Sequence, residues 1–101
     1  MIHLAPEELA VVRAILRARL PGCDARAFGS RATGIRLKRF SDLDLALLTQ
    51  RALTDAQLGA LRDEFNESDL PFRVDLVDWA VDWAAASAEF RAAIADQLQP
   101  I

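Results

Sequence analysis

The stretch Asp42-Leu43-Asp44-Leu45-Ala46-Leu47-Leu48 restricts what this chain folds into more than any other. Its apolar residues alternate with period two, which matches the pleat of a β-strand rather than the roughly 3.6-residue turn of a helix. Leu43, Leu45 and Leu47 therefore share one face, and Asp42, Asp44 and Ala46 the other. Such a strand needs an apolar layer over its leucines and a use for two carboxylates aimed the same way.

The flanking segments supply the layers. Pro6 suits a first helical turn, Glu7 and Glu8 follow at its positive end, and Leu9, Val12, Leu16 and Leu20 recur at helical spacing until Pro21 and Gly22 break the helix. Ala25 to Phe28 reads as a strand running into Gly29 and Ser30, with a helical turn through Gly34. Thr54 and Gln57 form a capping box, and Leu53 with Leu58 a hydrophobic staple, so a second long helix starts at Asp55 with Leu58, Leu61 and Phe65 as its stripe. "FRVDLVDW" reads as a third strand, with Asp75 and Val77 on one face and Val74, Leu76 and Asp78 on the other. Asp82 to Gln99 reads as a final helix carrying Trp83, Phe90, Ile94 and Leu98 along one side. The order, α-β-(short α)-β-α-β-α, predicts an α/β domain in which helices cover a small sheet.

Bulk properties narrow the function. The 101 residues predict one domain, 1–101, too short for a separate substrate-binding domain, so another chain is expected to hold part of what this one acts on. With 52% hydrophobic and 27% charged residues, the chain can bury a core. A net charge of −3 argues against general nucleic-acid binding, though a local basic patch can still hold a small phosphate ligand. Cys23 and His3 are the only residues of their kinds, which excludes an internal disulfide and a structural zinc site, so any metal must be oxygen-bound. His3 reads as a surface residue and Cys23 as structural or incidental. Trp79 and Trp83 either pack in or over the core or form an apolar partner surface. Neither a secretory signal nor an apolar stretch long enough to span a bilayer is present, and the expected location is the cytoplasm.

The chemistry concentrates in "FGSRATGIRLKRFSDLDLALL", residues 28–48. Carboxylates two apart on a strand have Cα atoms about 7 Å apart and converge on hard cations such as Mg²⁺ or Mn²⁺, with Asp75 on a neighbouring strand as the best third ligand and Asp78 as its competitor. Gly29 at a strand end lets backbone N–H groups approach a phosphate, and Ser30 adds a hydroxyl. Arg31, Arg36, Lys38 and Arg39 lie between turn and carboxylates, where some can neutralise a triphosphate or its leaving pyrophosphate. Among ten aspartates a lone D-x-D triplet is weak, whereas the set in this order is specific to phosphoryl or nucleotidyl transfer.

Gly29-Ser30-Arg31-Ala32, the gap from Ser30 to Asp42, Asp42-Leu43-Asp44-Leu45 and the later "VDLVD" resemble the signature of the DNA polymerase beta-like nucleotidyltransferase superfamily. More closely, the chain is similar to the minimal nucleotidyltransferases, the MNT or MntA-like antitoxins. The resemblance implies a small mixed sheet of the polymerase beta palm type. It also implies two Mg²⁺ ions on Asp42, Asp44 and Asp75, and a nucleoside triphosphate, ATP, held at Gly29 and Ser30 with help from Arg31, Arg36 and Lys38. Such proteins pair with a small helical HEPN-type ribonuclease toxin and transfer AMP to a tyrosine hydroxyl on it. Where the family often has a basic residue, this chain has Thr33, which moves one phosphate contact to Arg36 or Lys38 or removes it.

Three readings follow. The first is an adenylyltransferase antitoxin; the second is a binding module that neutralises its partner by occlusion; the third is a transferase acting on a small molecule. The order of preference is the order given, and a homo- or hetero-oligomer is compatible with each.

Overall fold

The computed structural model describes residues 2–83 and 85–101. Its elements are α1 (Pro6–Arg19), β1 (Asp24–Phe28), α2 (Ser30–Thr33), β2 (Leu43–Leu48), α3 (Asp55–Glu67), β3 (Val74–Asp78), a π-helical turn (Trp79–Trp83), α4 (Ala88–Ala95) and β4 (Gln99–Pro100). The sheet order is β3-β2-β1-β4. β1 runs antiparallel to both β2 and β4, while β2 and β3 run parallel, so the sheet is mixed as the resemblance implied.

Local chemistry explains where the helices begin. The Thr54 hydroxyl accepts the Gln57 N–H at 3.1 Å and the Gln57 side chain accepts the Thr54 N–H at 2.9 Å, which satisfies two orphan donors at the start of α3. At α1 the Glu8 carboxylate accepts the Ala5 N–H at 2.8 Å. α1 and α3 are joined at their exposed edges by Arg19 and Glu64, 2.9 Å apart.

The two faces of the sheet are covered unequally. Leu43, Leu45 and Leu47 are fully buried against Val12, Ile15 and Leu16 of α1 and Leu61 and Phe65 of α3, each leucine contributing roughly 1.5–3 kcal/mol by leaving water. The opposite face carries a smaller cluster of Phe28, Ala46 and Ile94, with Val77, Trp79 and Leu98 packed around it. Phe90 of α4 lays its ring edge-on to Phe28, 6.4 Å between centroids.

The C-terminal region departs from the single helix expected over 82–99. The Asp82 carboxylate accepts the Asp78 N–H at 2.8 Å, across the π-helical turn. Ser87 then caps a new helix by accepting the Phe90 N–H at 3.1 Å, the kind of local side-chain bond that competes with helix continuation. α4 ends at Ala95, and Gln99 and Pro100 instead pair with Ala27 and Arg26. Proline at position 100 is compatible with an edge strand and not with a helix interior. Of the expected stripe, Ile94 is buried, Leu98 is half-buried and Phe90 is exposed; the Trp83 side chain and Ala84 lie outside the described residues. No helix among the described residues is long and apolar enough to cross a membrane.

Candidate active site

Strand register assembles the acidic residues. Asp44 on the central strand lies opposite Phe28 of β1 on one side and opposite Asp75 of β3 on the other. Adjacent strands run about 4.8 Å apart, and side chains in register on parallel strands share a face. Asp42 precedes β2 and, two residues from Asp44, points to the same side. Asp42 and Asp75 are exposed, whereas Asp44 is half-buried. Burial first, then the charges of Asp75 and Asp42, push the Asp44 carboxyl up from the usual 3.8 to about 6. Among the described residues Asp44 receives no protein hydrogen bond or salt bridge.

Asp78, the rival third carboxylate, is placed otherwise. It lies on the leucine side of the sheet and is 4% exposed; it accepts hydrogen bonds from the Thr49 hydroxyl, from Leu53 N–H at 2.7 Å and from Ala80 N–H at 3.3 Å. These bonds pin the β2–α3 connection and the π-helical turn to the end of β3. A buried carboxylate so engaged is a structural hub.

The Gly29–Ser30 turn abuts Asp44. Gly29 has φ +75°, and a Cβ there would collide with an Asp44 carboxylate oxygen, so only glycine fits. The Gly29 carbonyl accepts the Ala32 and Thr33 N–H groups, each at 3.0 Å, and the Thr33 hydroxyl at 3.2 Å. Thr33 is thus a lock on the turn, which gives this position a role in the chain's own geometry. Gly34 closes α2 in the left-handed region at φ +77°, with the His3 imidazole packed where its Cβ would be. On the far edge of β1 the Gly29 N–H donates to the Gln97 side chain at 2.9 Å.

The cations divide into two groups. Arg36, Lys38 and Arg39 are exposed on the loop ahead of Asp42; Arg36 has φ +57°, and Arg39 lies over the Phe40 ring at 5.2 Å. The Lys38 N–H donates to the Ser41 hydroxyl at 2.8 Å, closing that loop on itself. Arg31, expected at the phosphates, is 5% exposed, and its guanidinium donates to the carbonyls of Ser41 (2.8 Å), His3 (3.1 Å) and Arg39 (3.1 Å). Reaching a phosphate would cost those bonds.

Sequence reasoning missed Arg73 and Gln97. The Arg73 carbonyl accepts the Leu43 N–H at 2.8 Å, which sets the Arg73 backbone beside Asp42 just ahead of β3, two residues before Asp75. That i, i+2 spacing was readable in "RVD". Gln97 has no such signal, because its partner is a backbone N–H distant in sequence. Phe40, Asp42, Phe72 and Arg73 line a cavity of about 400 Å³ at this edge. A cavity of about 620 Å³ lies at the other end of β2, among Arg19, Cys23, Asp24, Thr49 and Arg51, away from the acidic trio.

Three carboxylates with no nearby imidazole or thiolate are a donor set suited to Mg²⁺ or Mn²⁺. Among the described residues no group of three acidic, histidine or cysteine side chains converges as a metal site of protein ligands alone. Burial, and after it the charges of Asp75 and Asp42, raise the Asp44 carboxyl, a penalty on its charged form that a bound cation would offset.

With this geometry in place, the comparisons are specific. The family described as "Nucleotidyltransferase domain" matches residues 9–98. The "Probable protein adenylyltransferase MntA" of Haemophilus influenzae is 43% identical over 90 residues, covering 89% of this chain and 75% of that protein. A crystal structure described as a toxin-antitoxin with AMP-PNP superposes with a TM-score of 0.67 at 27% identity, covering 90% of this chain and 69% of its own. A mutant of the toxin-antitoxin MntA-HpeT superposes with a TM-score of 0.62 over 92% of this chain and 69% of its own; at 23% identity it speaks to the fold alone. The chain belongs to the nucleotidyltransferase domain family and is an MntA-like minimal nucleotidyltransferase.

Proposed function

We propose that this nucleotidyltransferase moves AMP from ATP onto a tyrosine hydroxyl of a HEPN-type ribonuclease toxin in the cytoplasm and so acts as its antitoxin. The observation that carries this reading is the placement of Asp44 between the Gly29–Ser30 turn and Asp75 in one sheet register. The similar Haemophilus protein is described as a protein adenylyltransferase, and a similar structure contains AMP-PNP, which supports ATP as the donor.

In this mechanism the Gly29–Ser30 turn takes the triphosphate, and Arg36 and Lys38 neutralise the departing charge. Asp42, Asp44 and Asp75 would hold Mg²⁺, which when bound supplies charge stabilisation at the phosphoryl oxygens. The acceptor oxygen forms a bond to the α-phosphorus, the bond from that phosphorus to the bridging oxygen breaks, and pyrophosphate leaves with its electron pair. Asp75, exposed beside Asp44, takes the acceptor proton. Because Asp42 and Asp75 open to solvent, a hydroxyl carried by another protein has access to them.

The test is transfer of label from ATP to the product of the adjacent gene with Mg²⁺, repeated with Asp42→Ala and Asp44→Ala. Labelled partner with the wild type and none with the variants is expected; no label on a folded, bound partner defeats the proposal. Occlusion without catalysis is the second reading, favoured by the exposed Ile35 and Phe40 on one flank of the site and Phe90 on α4. It requires that the double alanine variant still protect cells from the partner.

A further inference from the structure

Arg31 is a cation held 95% out of solvent with no carboxylate partner among the described residues, since it is 5% exposed and absent from the ion pairs. Burying an unpaired charge is costly, and a chain tolerates it only where dipoles and π-faces replace the water. Here three carbonyls accept from Nε and both Nη groups, and the Phe72 ring lies 3.9 Å from the guanidinium carbon. The partners come from three separate segments: the loop of Arg39 and Ser41, the approach to β3 at Phe72, and the N-terminal arm at His3. Arg31 itself follows Ser30; Ser41 precedes Asp42; Arg39 sits in the basic loop; Phe72 precedes Arg73 and leads into the strand of Asp75; His3 brings the N-terminal arm.

We infer that Arg31 is a positioning residue: one planar cation fixes the phosphate turn, the first metal-side carboxylate and the start of β3 relative to one another, without touching the nucleotide. This rests on the function proposed above and adds to it the means by which separate segments keep register. A fork of donors lying in one plane matches carbonyls arriving from two directions and leaves its face for a ring, whereas a lysine ammonium has neither property. Positioning matters because displacement by about 1 Å costs on the order of 10²-fold in rate.

The experiment compares wild type with Arg31→Lys, which keeps the charge and loses the fork. Three readouts are taken: affinity for MgATP without acceptor, turnover with the partner protein, and backbone amide shifts. The expected result is a kcat about 10²-fold lower, MgATP affinity changed less than about threefold, as for a group that makes no nucleotide contact, and joint shifts at Ser30, Asp42 and Asp75. If MgATP affinity falls by the same factor as kcat/KM, Arg31 is a phosphate ligand and the inference is overturned. An unchanged kcat in a folded but less stable variant overturns it equally. Should Arg31→Lys not fold, Phe72→Leu removes the ring while keeping apolar volume, and the same pattern at smaller amplitude is expected. In the wild type the Arg31 Nε–H should be protected from solvent exchange and unmoved by MgATP; exchange at the rate of a free guanidinium overturns the inference. A wild type that transfers no label defeats the proposed function instead, while amide shifts and exchange still read the clasp.

Discussion

Strand β2 presents Leu43, Leu45 and Leu47 to α1 and α3, where all three are fully buried, and on its other side presents Asp44, half-buried and flanked by exposed Asp42 and Asp75. The same few residues thus serve two opposed purposes. On the leucine side the three side chains of β2 pack into the apolar cluster of α1 and α3. On the aspartate side like charges are held together and partly desolvated, at a cost to folding. The difference teaches that the stability stored on one face sustains the unfavourable charge arrangement on the other.

The largest effect should come from the acidic side. Asp44→Asn removes the central carboxylate, and transfer to the partner should fall by roughly 10³-fold, measured as initial rate of label incorporation. Next, Leu45→Ala should lower unfolding free energy by about 2–5 kcal/mol in denaturant titration, and transfer by folded protein should persist, because the leucine side chain lies in the core on the face of β2 opposite Asp44. A loss of transfer larger than the folded fraction accounts for would break the separation between the two faces.

Gly29→Ala tests the point where the faces meet the turn. The new methyl collides with the Asp44 carboxylate at a backbone angle that disfavours side chains, so stability should fall by about 1–3 kcal/mol and transfer with it. A Gly29→Ala protein with full activity would mean that the turn and Asp44 are less tightly apposed.

The smallest effect has the opposite sign. Because the Asp44 carboxyl is raised to about 6 in the folded protein, the folded state binds the extra proton, and stability falls as pH rises from about 3.8 through 6. Asp44→Asn should therefore be more stable than wild type at pH 7–8, by on the order of 1 kcal/mol after allowing for solvent screening of this half-exposed group. The advantage should shrink to nothing near pH 4, as read by melting temperature against pH. A variant that inactivates the protein and yet stabilises it would sharpen the contrast between the faces; equal stability at every pH would erase it.

Several parts of this arrangement were legible because they depend on periodicity or on neighbours close in sequence. The alternation of β2, the capping box of Thr54 and Gln57, and the faces of Asp75 and Asp78 are of this kind. What was illegible depends on backbone partners far away. Carbonyls carry no residue identity, so nothing in the sequence marks His3, Arg39 and Ser41 as acceptors for one buried guanidinium. The two residues of β4 are too few to show alternation, and the alanine-rich composition ahead of them favoured a helix that Ser87 and Asp82 interrupt. Arg73 stands alone in sequence, outside the basic run before Asp42, and only the pairing of β3 with β2 brings it beside that carboxylate.

The hydrogen bond from Gly29 to Gln97 joins residues 68 apart in the chain. Chains emerge from the ribosome N-terminus first, so β1 and its glycine turn appear early while their outer edge stays unpaired. The groups that complete that edge, Gln97 and the two residues of β4, come after every carboxylate of the site has been made. During synthesis, then, the acidic strands exist before the turn beside them is finished, and a nascent chain has the charges of a nucleotidyltransferase before it has the completed edge of one.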